Sequence, residues 1–245
     1  MCQKLEETDK WNVLERLTQF PPGLDSLYER MLQQITESDS ADMCLRVLAV
    51  SAVLYRPVTV AELVVLTKQL AGLVDDLESV RKIIGLCGSF LTLREDTVYF
   101  VHQSAKDFLF ADVYNEVFPQ GAEATHHVIF LRSLAILSQT LHRDMYSLEA
   151  LGVAIEDAQP PRPDPLAASR YSCVYWIDHL CDSKPESWAD GGGDYLKVID
   201  AVDEFIRKKY LYWLEGLSLC RSIGKGVVSM ANLCSLVQVW HAKTT

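Results

Sequence analysis

"CGSFLTLREDTVYFVHQSAKDFLF", residues 87–110, decides how the first half of the chain folds. Gly88 and Ser89 break the segment before them. Two short runs rich in β-branched and aromatic residues follow, and Arg94–Thr97 joins them, the pattern of a β-hairpin. The second run delivers His102, and Gln103–Phe110 then reads as a helix. His102 has no second His or Cys at ligand spacing and no evident nucleophile to serve. It stands where an apolar strand meets the start of a helix.

Working back from the hairpin, three helices precede it. Asp75 and Asp76 sit at the positive N-terminal end of one that runs to about Cys87. "TVAE", Thr59–Glu62, is a capping box: the Thr oxygen meets an amide three residues on, and the Glu reaches back. It opens a helix to about Leu70. "SADMCLRVLAVSAVLY", Ser40–Tyr55, is apolar nearly all round and so reads as a buried helix. Three helices and a hairpin describe a winged helix, expected over 41–115. Before it, "LDSLYERMLQQI" places Leu24, Leu27, Tyr28, Met31, Leu32 and Ile35 on one face, with Asp25 or Ser26 able to cap it. "FPPG" at 20–23 separates this helix from one expected over 3–19, and the two make a helical lead-in over 1–40. That first helix opens with no capping signal, so the chain is expected to begin partway through a larger domain.

Working forward, everything reads as helix, giving a mainly α chain with an α-helical domain over 116–245. Thr125–His142 has a helical apolar period. "EDAQPPRPDP", Glu156–Pro165, holds four prolines in a short span, which makes an exposed loop near 157–170. Tyr171–Cys181 is an aromatic-rich helix, "WADGGGD" a loop, Tyr195–Cys220 two helices and Val227–Trp240 a last one.

The chain has 245 residues, 49% hydrophobic and 23% charged, with a formal net charge of −10. That acidity argues against binding to a phosphate backbone, which needs clustered Lys and Arg. Residues 41–110 hold seven Lys/Arg against eight Asp/Glu, and the third helix of the winged-helix pattern, which a DNA binder would use for readout, starts with acids. No nucleic-acid partner is expected. No run of 18 apolar residues offers a membrane span, and the charged opening "MCQKLEETDKW" has no signal-peptide pattern. Seven widely spaced Cys in mostly apolar stretches read as reduced core thiols, so a cytoplasmic protein is expected.

Candidate chemistry is thin. Ser104 and Asp107 share residue types with a His102-based triad, but only Ser104 is placed to cap the helix, and no G-x-S-x-G elbow exists. Cys173, His179 and Cys181 lack i, i+3 or i, i+4 spacing, and no C-x-x-C occurs, so no metal is expected. Arg207, Lys208 and Lys209 beside Tyr210, Tyr212 and Trp213 could form a nucleic-acid platform, or a helix with an aromatic core side and a solvated basic side.

Five segments carry a resemblance: "PPGLDSLYERMLQQI", "AVLYRPVTVAEL", "CGSFLTLREDTVYFVHQSAKDFL", "YSCVYWIDHL" and "FIRKKYLYWLEGLSLC". In this order, over nearly the whole chain, they resemble the segment that follows the nucleotide-binding domain in fungal NACHT-type STAND proteins, the vegetative-incompatibility and NLR-like family. The winged-helix part is also similar to one named after fungal GPI inositol-deacylases, although no hydrolase chemistry is present. In the family, an effector domain and a NACHT ATPase precede the winged helix and helical domain, and WD or ankyrin repeats often follow. The resemblance implies a non-catalytic regulatory segment that couples nucleotide state to conformational switching, with a NACHT domain, in cis or in trans, and other proteins as partners. The ATPase needs a G-x-x-x-x-G-K-[ST] loop, and this chain has none; Gly224-Lys225 lacks the upstream Gly and is followed by Gly226. No cofactor is therefore expected on this chain, ADP and ATP belonging to the full-length family. The resemblance also gives His102 a role. In relatives a winged-helix histidine donates to the β-phosphate of bound ADP, and "YFVHQSAKDFL" matches that phrase at Phe100, His102 and Phe108. Three readings of function stay open: this latch, a winged-helix nucleic-acid binder, and a stand-alone protein-interaction fragment.

Overall fold

The computed structural model describes residues 24–148, 152–185 and 194–244. The helix expected over 3–19 and most of the loop at 188–194 lie outside them. Within them the chain is mainly α-helical with one small sheet.

Helix α1 spans Leu24–Thr36 and buries Tyr28, Leu32 and Ile35 on one face. Helix α2, Ala41–Val53, buries eight of its residues, as its nearly unbroken apolar sequence requires. Strand β1, Val58–Thr59, then leads into α3, Val60–Leu66, through the Thr59–Glu62 capping box, both halves of which form. A 3-10 turn over Lys68–Leu73 takes up the stretch that the pattern assigns to the end of α3. Helix α4, Leu77–Leu86, is capped by Asp76, whose carboxylate accepts from the Ser79 amide. Strands β2, Leu91–Arg94, and β3, Thr97–Phe100, form the expected hairpin. Its tight turn puts Glu95 at φ 55°, where glycine would sit without strain.

The sheet has the order β1-β3-β2, antiparallel throughout. The sequence reading lacks β1, as it lacks the short helix Tyr114–Val117. β1 is only two residues long and exists because Val58 and Thr59 pair with Val98 and Thr97, a non-local contact.

After the sheet come α5, Gln103–Ala111, the short α6, Tyr114–Val117, and the long α7, Ala122–Thr140. A loop carrying the prolines leads to α8, Arg170–Asp182. Helix α9, Asp194–Leu219, is a single helix where two are expected. Val198, Val202, Phe205, Trp213 and Leu217 keep one buried stripe in phase along it. Helix α10 covers Ile223–Thr244.

Two apolar cores result. The first gathers α1–α5, the sheet and Ile129 around Leu48, Leu63, Phe90 and Phe108. The second packs α7, α8, α9 and α10 around Phe130, Trp176, Trp213 and Leu217. Tyr171 of α8 belongs to the first core although its helix builds the second.

Candidate functional site: His102 and the junction behind it

Strand β3 fixes the position of His102. Val98 is buried against the first core, and the backbone stays extended through His102, at φ −153° and ψ 153°. Helix α5 then begins at once. Ala105, Phe108 and Leu109, three and four residues apart, anchor it, and Phe108 packs against both Phe90 and Tyr28. His102 itself is exposed at the start of α5.

Its ring is held by one nitrogen. The Ser104 amide donates to His102 Nδ1 at 3.2 Å, and Ser104 Oγ lies 2.7 Å from the same atom. A backbone N–H only donates, so Nδ1 carries a bare lone pair, and the neutral ring has its proton on Nε2. Ser104 Oγ can then face Nδ1 only by donating to it. That leaves the hydroxyl free to accept from Tyr28 OH, 2.8 Å away. A chain of donors thus runs from core Tyr28 through Ser104 to His102, and the ring presents an N–H donor away from the helix. The sequence offers Ser104 as a cap, with capping by His102 the bland alternative to its phosphate-sensing role. The structure gives the cap to His102, and Ser104 supplies the amide that is capped. Asp107 bonds the Gln103 side chain at 2.9 Å, so His102, Ser104 and Asp107 do not assemble as a triad.

Behind this edge lies a buried junction between the two cores. Glu62, 2% exposed, closes the capping box of α3, takes both forks of Arg56 at 2.9 and 2.7 Å, and accepts the Tyr171 amide of α8 at 2.9 Å. One carboxylate therefore caps two helix N-termini. Tyr171 OH accepts the Tyr55 amide at 3.2 Å and lies 2.7 Å from His179 Nε2, and His179 Nδ1 is 2.8 Å from His126 Nδ1. Tyr171 is fully buried, so its proton has to go to His179 Nε2, and His179 in turn donates to His126. Burial pushes the ring of His179 well below the ordinary histidine range, the neighbouring His126 adding to it, and burial likewise lowers His126. Tyr55 OH donates to Asp182 at 2.6 Å on the rim.

The remaining candidates separate. His179 faces the junction. The Cys173 carbonyl takes the Trp213 indole N–H, and its thiol pairs with Cys220. Among the described residues no group of three or more His, Cys, Asp or Glu could hold a metal. Arg207 and Lys208 pair with Asp203 and Glu204 one turn back, Lys209 reaches the Leu141 carbonyl and lies 5.9 Å from the centre of the Tyr212 ring, and Trp213 is buried, so the basic and aromatic residues are mostly committed to partners within the chain. Arg81 of α4 is paired with Asp96 in the hairpin turn.

The chain is similar to vegetative incompatibility protein HET-E-1 of Podospora anserina, with 44% identity over 254 aligned residues. The similarity covers 97% of this chain and 18% of that protein, so the chain spans less than one fifth of its relative. No family model matches the chain, and no solved structure matches it. Among the described residues no helix is long and apolar enough to cross a membrane.

Nothing in the sequence marks the Glu62–Tyr171–His179–His126 junction as a unit. Tyr171 and His179 are eight residues apart, which puts them on one face of a helix, but nothing local links them to His126 or Glu62.

Proposed function

We propose that this chain is a non-catalytic regulatory segment of a NACHT-type STAND signalling protein acting in vegetative incompatibility. In this reading residues 41–115 are a winged helix and 116–245 a helical domain. His102 donates its Nε2–H to a phosphate of ADP held by a NACHT domain, in cis or in trans, and favours the closed state. Exchange of ADP for ATP removes the contact and biases the protein toward opening and protein–protein assembly. The supporting observation is the division of labour on the ring: Nδ1 is committed to the cap, which leaves the donor on Nε2 facing outward. Capping and phosphate sensing therefore do not compete. The similarity to HET-E-1 over nearly the whole chain supports the signalling context.

The test separates the two nitrogens. His102→Asn keeps a good cap acceptor and removes the donor at the reach of Nε2. In a protein joining this segment to a NACHT domain of the same family, ADP should leave about tenfold faster, the equivalent of one charge-assisted hydrogen bond of ~1.5 kcal/mol. In the chain alone the same change should leave the melting temperature within about 2 °C. An unchanged ADP off-rate in the joined protein refutes the sensor role.

A further inference from the structure

Strand β1 is two residues long and β3 is four. Their antiparallel register pairs Thr59 with Thr97 and Val58 with Val98, then stops. Successive residues of a strand aim their backbone groups to opposite sides. The Val101 amide bonds the Phe90 carbonyl on the β2 side, so Phe100 aims its N–H and C=O to the β1 side. There the chain offers Pro57, which has no N–H, and Arg56, whose backbone makes no hydrogen bond to Phe100. Among the described residues no strand pairs with β3 on this side beyond Val98.

This open edge borders a cleft of about 310 Å³. Leu54, Pro57, Val98 and Phe100 give it apolar walls, and Lys106 of α5 lines it with a cation. The Lys106 ammonium is half-buried. Its one hydrogen bond is to the Leu54 carbonyl at 3.5 Å, and no carboxylate among the described residues lies within ion-pair distance. Burial pulls its pKa down, against the opposing pull of the neighbouring Asp107 carboxylate, which forms no salt bridge with it.

We propose that this cleft binds an extended acidic peptide, which adds a strand along Phe100 and pairs an Asp or Glu side chain with Lys106. Main-chain hydrogen bonds to an open strand edge supply affinity, and the alternating side chains supply selectivity. An inorganic anion would answer the charge alone and leave the strand edge and apolar walls unused. The proposal is independent of the nucleotide reading of His102.

The probe is a blocked heptapeptide of alternating valine and glutamate, with its valine–glutamine counterpart as control, titrated into the isotopically labelled 245-residue chain. The Phe100 amide should exchange freely in the free chain and slow by about tenfold or more at saturation. The glutamate peptide should bind about tenfold tighter than the glutamine one, and Lys106→Met should erase that difference. Lys106→Met should leave the melting temperature of the free chain unchanged or raised, because it removes a half-buried charge that has no salt bridge. Four results would overturn the proposal. One is a Phe100 amide already protected in the free chain. Another is equal binding of the two peptides. The third is a drop of about 5 °C or more in Lys106→Met, which would make Lys106 a cap for the carbonyl end of α2. Inorganic phosphate reproducing the peptide's effect on Phe100 would likewise overturn it in favour of a simple anion site.

Discussion

Glu62→Ala should be among the most damaging single changes in the chain, and its cost can be built from the bonds that are lost. Removing the carboxylate undoes half of the α3 capping box, worth ~1 kcal/mol. It leaves the buried Tyr171 amide without an acceptor, at a cost of about 1–3 kcal/mol. Arg56 is one-third exposed and turns to water, so the ion pair itself contributes only about 0.5–1 kcal/mol. The expected loss is about 3–5 kcal/mol, which for a chain of this size lowers the melting temperature by roughly 6–20 °C. Glu62→Gln should cost less but still substantially. Its carbonyl oxygen can serve Tyr171, while its NH2 meets Arg56 and the Thr59 amide, donor against donor. The assay is thermal melting of the two variants and of Arg56→Met, alone and combined with Glu62→Gln. The paired change should cost less than the sum of its parts, since each single change strands the other's partner. A drop below about 3 °C for Glu62→Ala, or an additive cycle, would refute the idea that one carboxylate ties the two halves together.

Three further outcomes follow from the packing and protonation. His126 and His179 are held below the ordinary 6.5, so on acidification the unfolded chain takes up protons that the folded chain refuses. Stability should be complete above about pH 7.5 and fall below 6.5 by about 1.4 kcal/mol per pH unit for each ring; a urea midpoint flat between pH 7.5 and 5.5 would refute this. Trp213 donates to the Cys173 carbonyl while the Trp176 indole N–H meets no partner among the described residues, so Trp213→Phe should cost about 1 kcal/mol more than Trp176→Phe in denaturant titrations. A Cβ on Gly226 would meet Leu217 Cδ1 inside the second core, whereas one on Gly224 meets nothing within 4 Å. Calorimetry should show Gly224→Ala stabilising by up to about 1 kcal/mol and Gly226→Ala destabilising despite the same gain in helix propensity.

What the sequence disclosed was local. Thr59 and Glu62 lie three residues apart, and their capping box was readable from that spacing alone. The hairpin could be read the same way, because the turn and both strands lie within one short stretch. β1 could not be read, since Val58 and Thr59 become a strand only when Val98 and Thr97 fold back beside them. For the cap of α5 the sequence offers both Ser104, a common N-cap type, and His102; that His102 does the work depends on an extended backbone placing Nδ1 over the first turn. The length of Tyr195–Cys220 suggests two helices, but the buried positions Val198, Val202, Phe205, Trp213 and Leu217 keep one phase and make it a single helix. The sequence points to His102 as a candidate but not to the tautomer that its contacts select. The junction of Glu62, Tyr171, His179 and His126 was missed because its members come from four separate elements.

Helix α7 has a consequence for how this segment can be cut and moved. Ile129 points into the first core and the next residue, Phe130, into the second. A single rod of 19 residues is thus a wall of both compartments. A proteolytic nick or a gene fusion placed within it would open two hydrophobic interiors at once, and one placed after it would strip Tyr171 from the first core. The practical unit for grafting, swapping or expressing this region is accordingly the pair of cores together. A chimera that exchanges one core and keeps the other must also rebuild the two faces of α7.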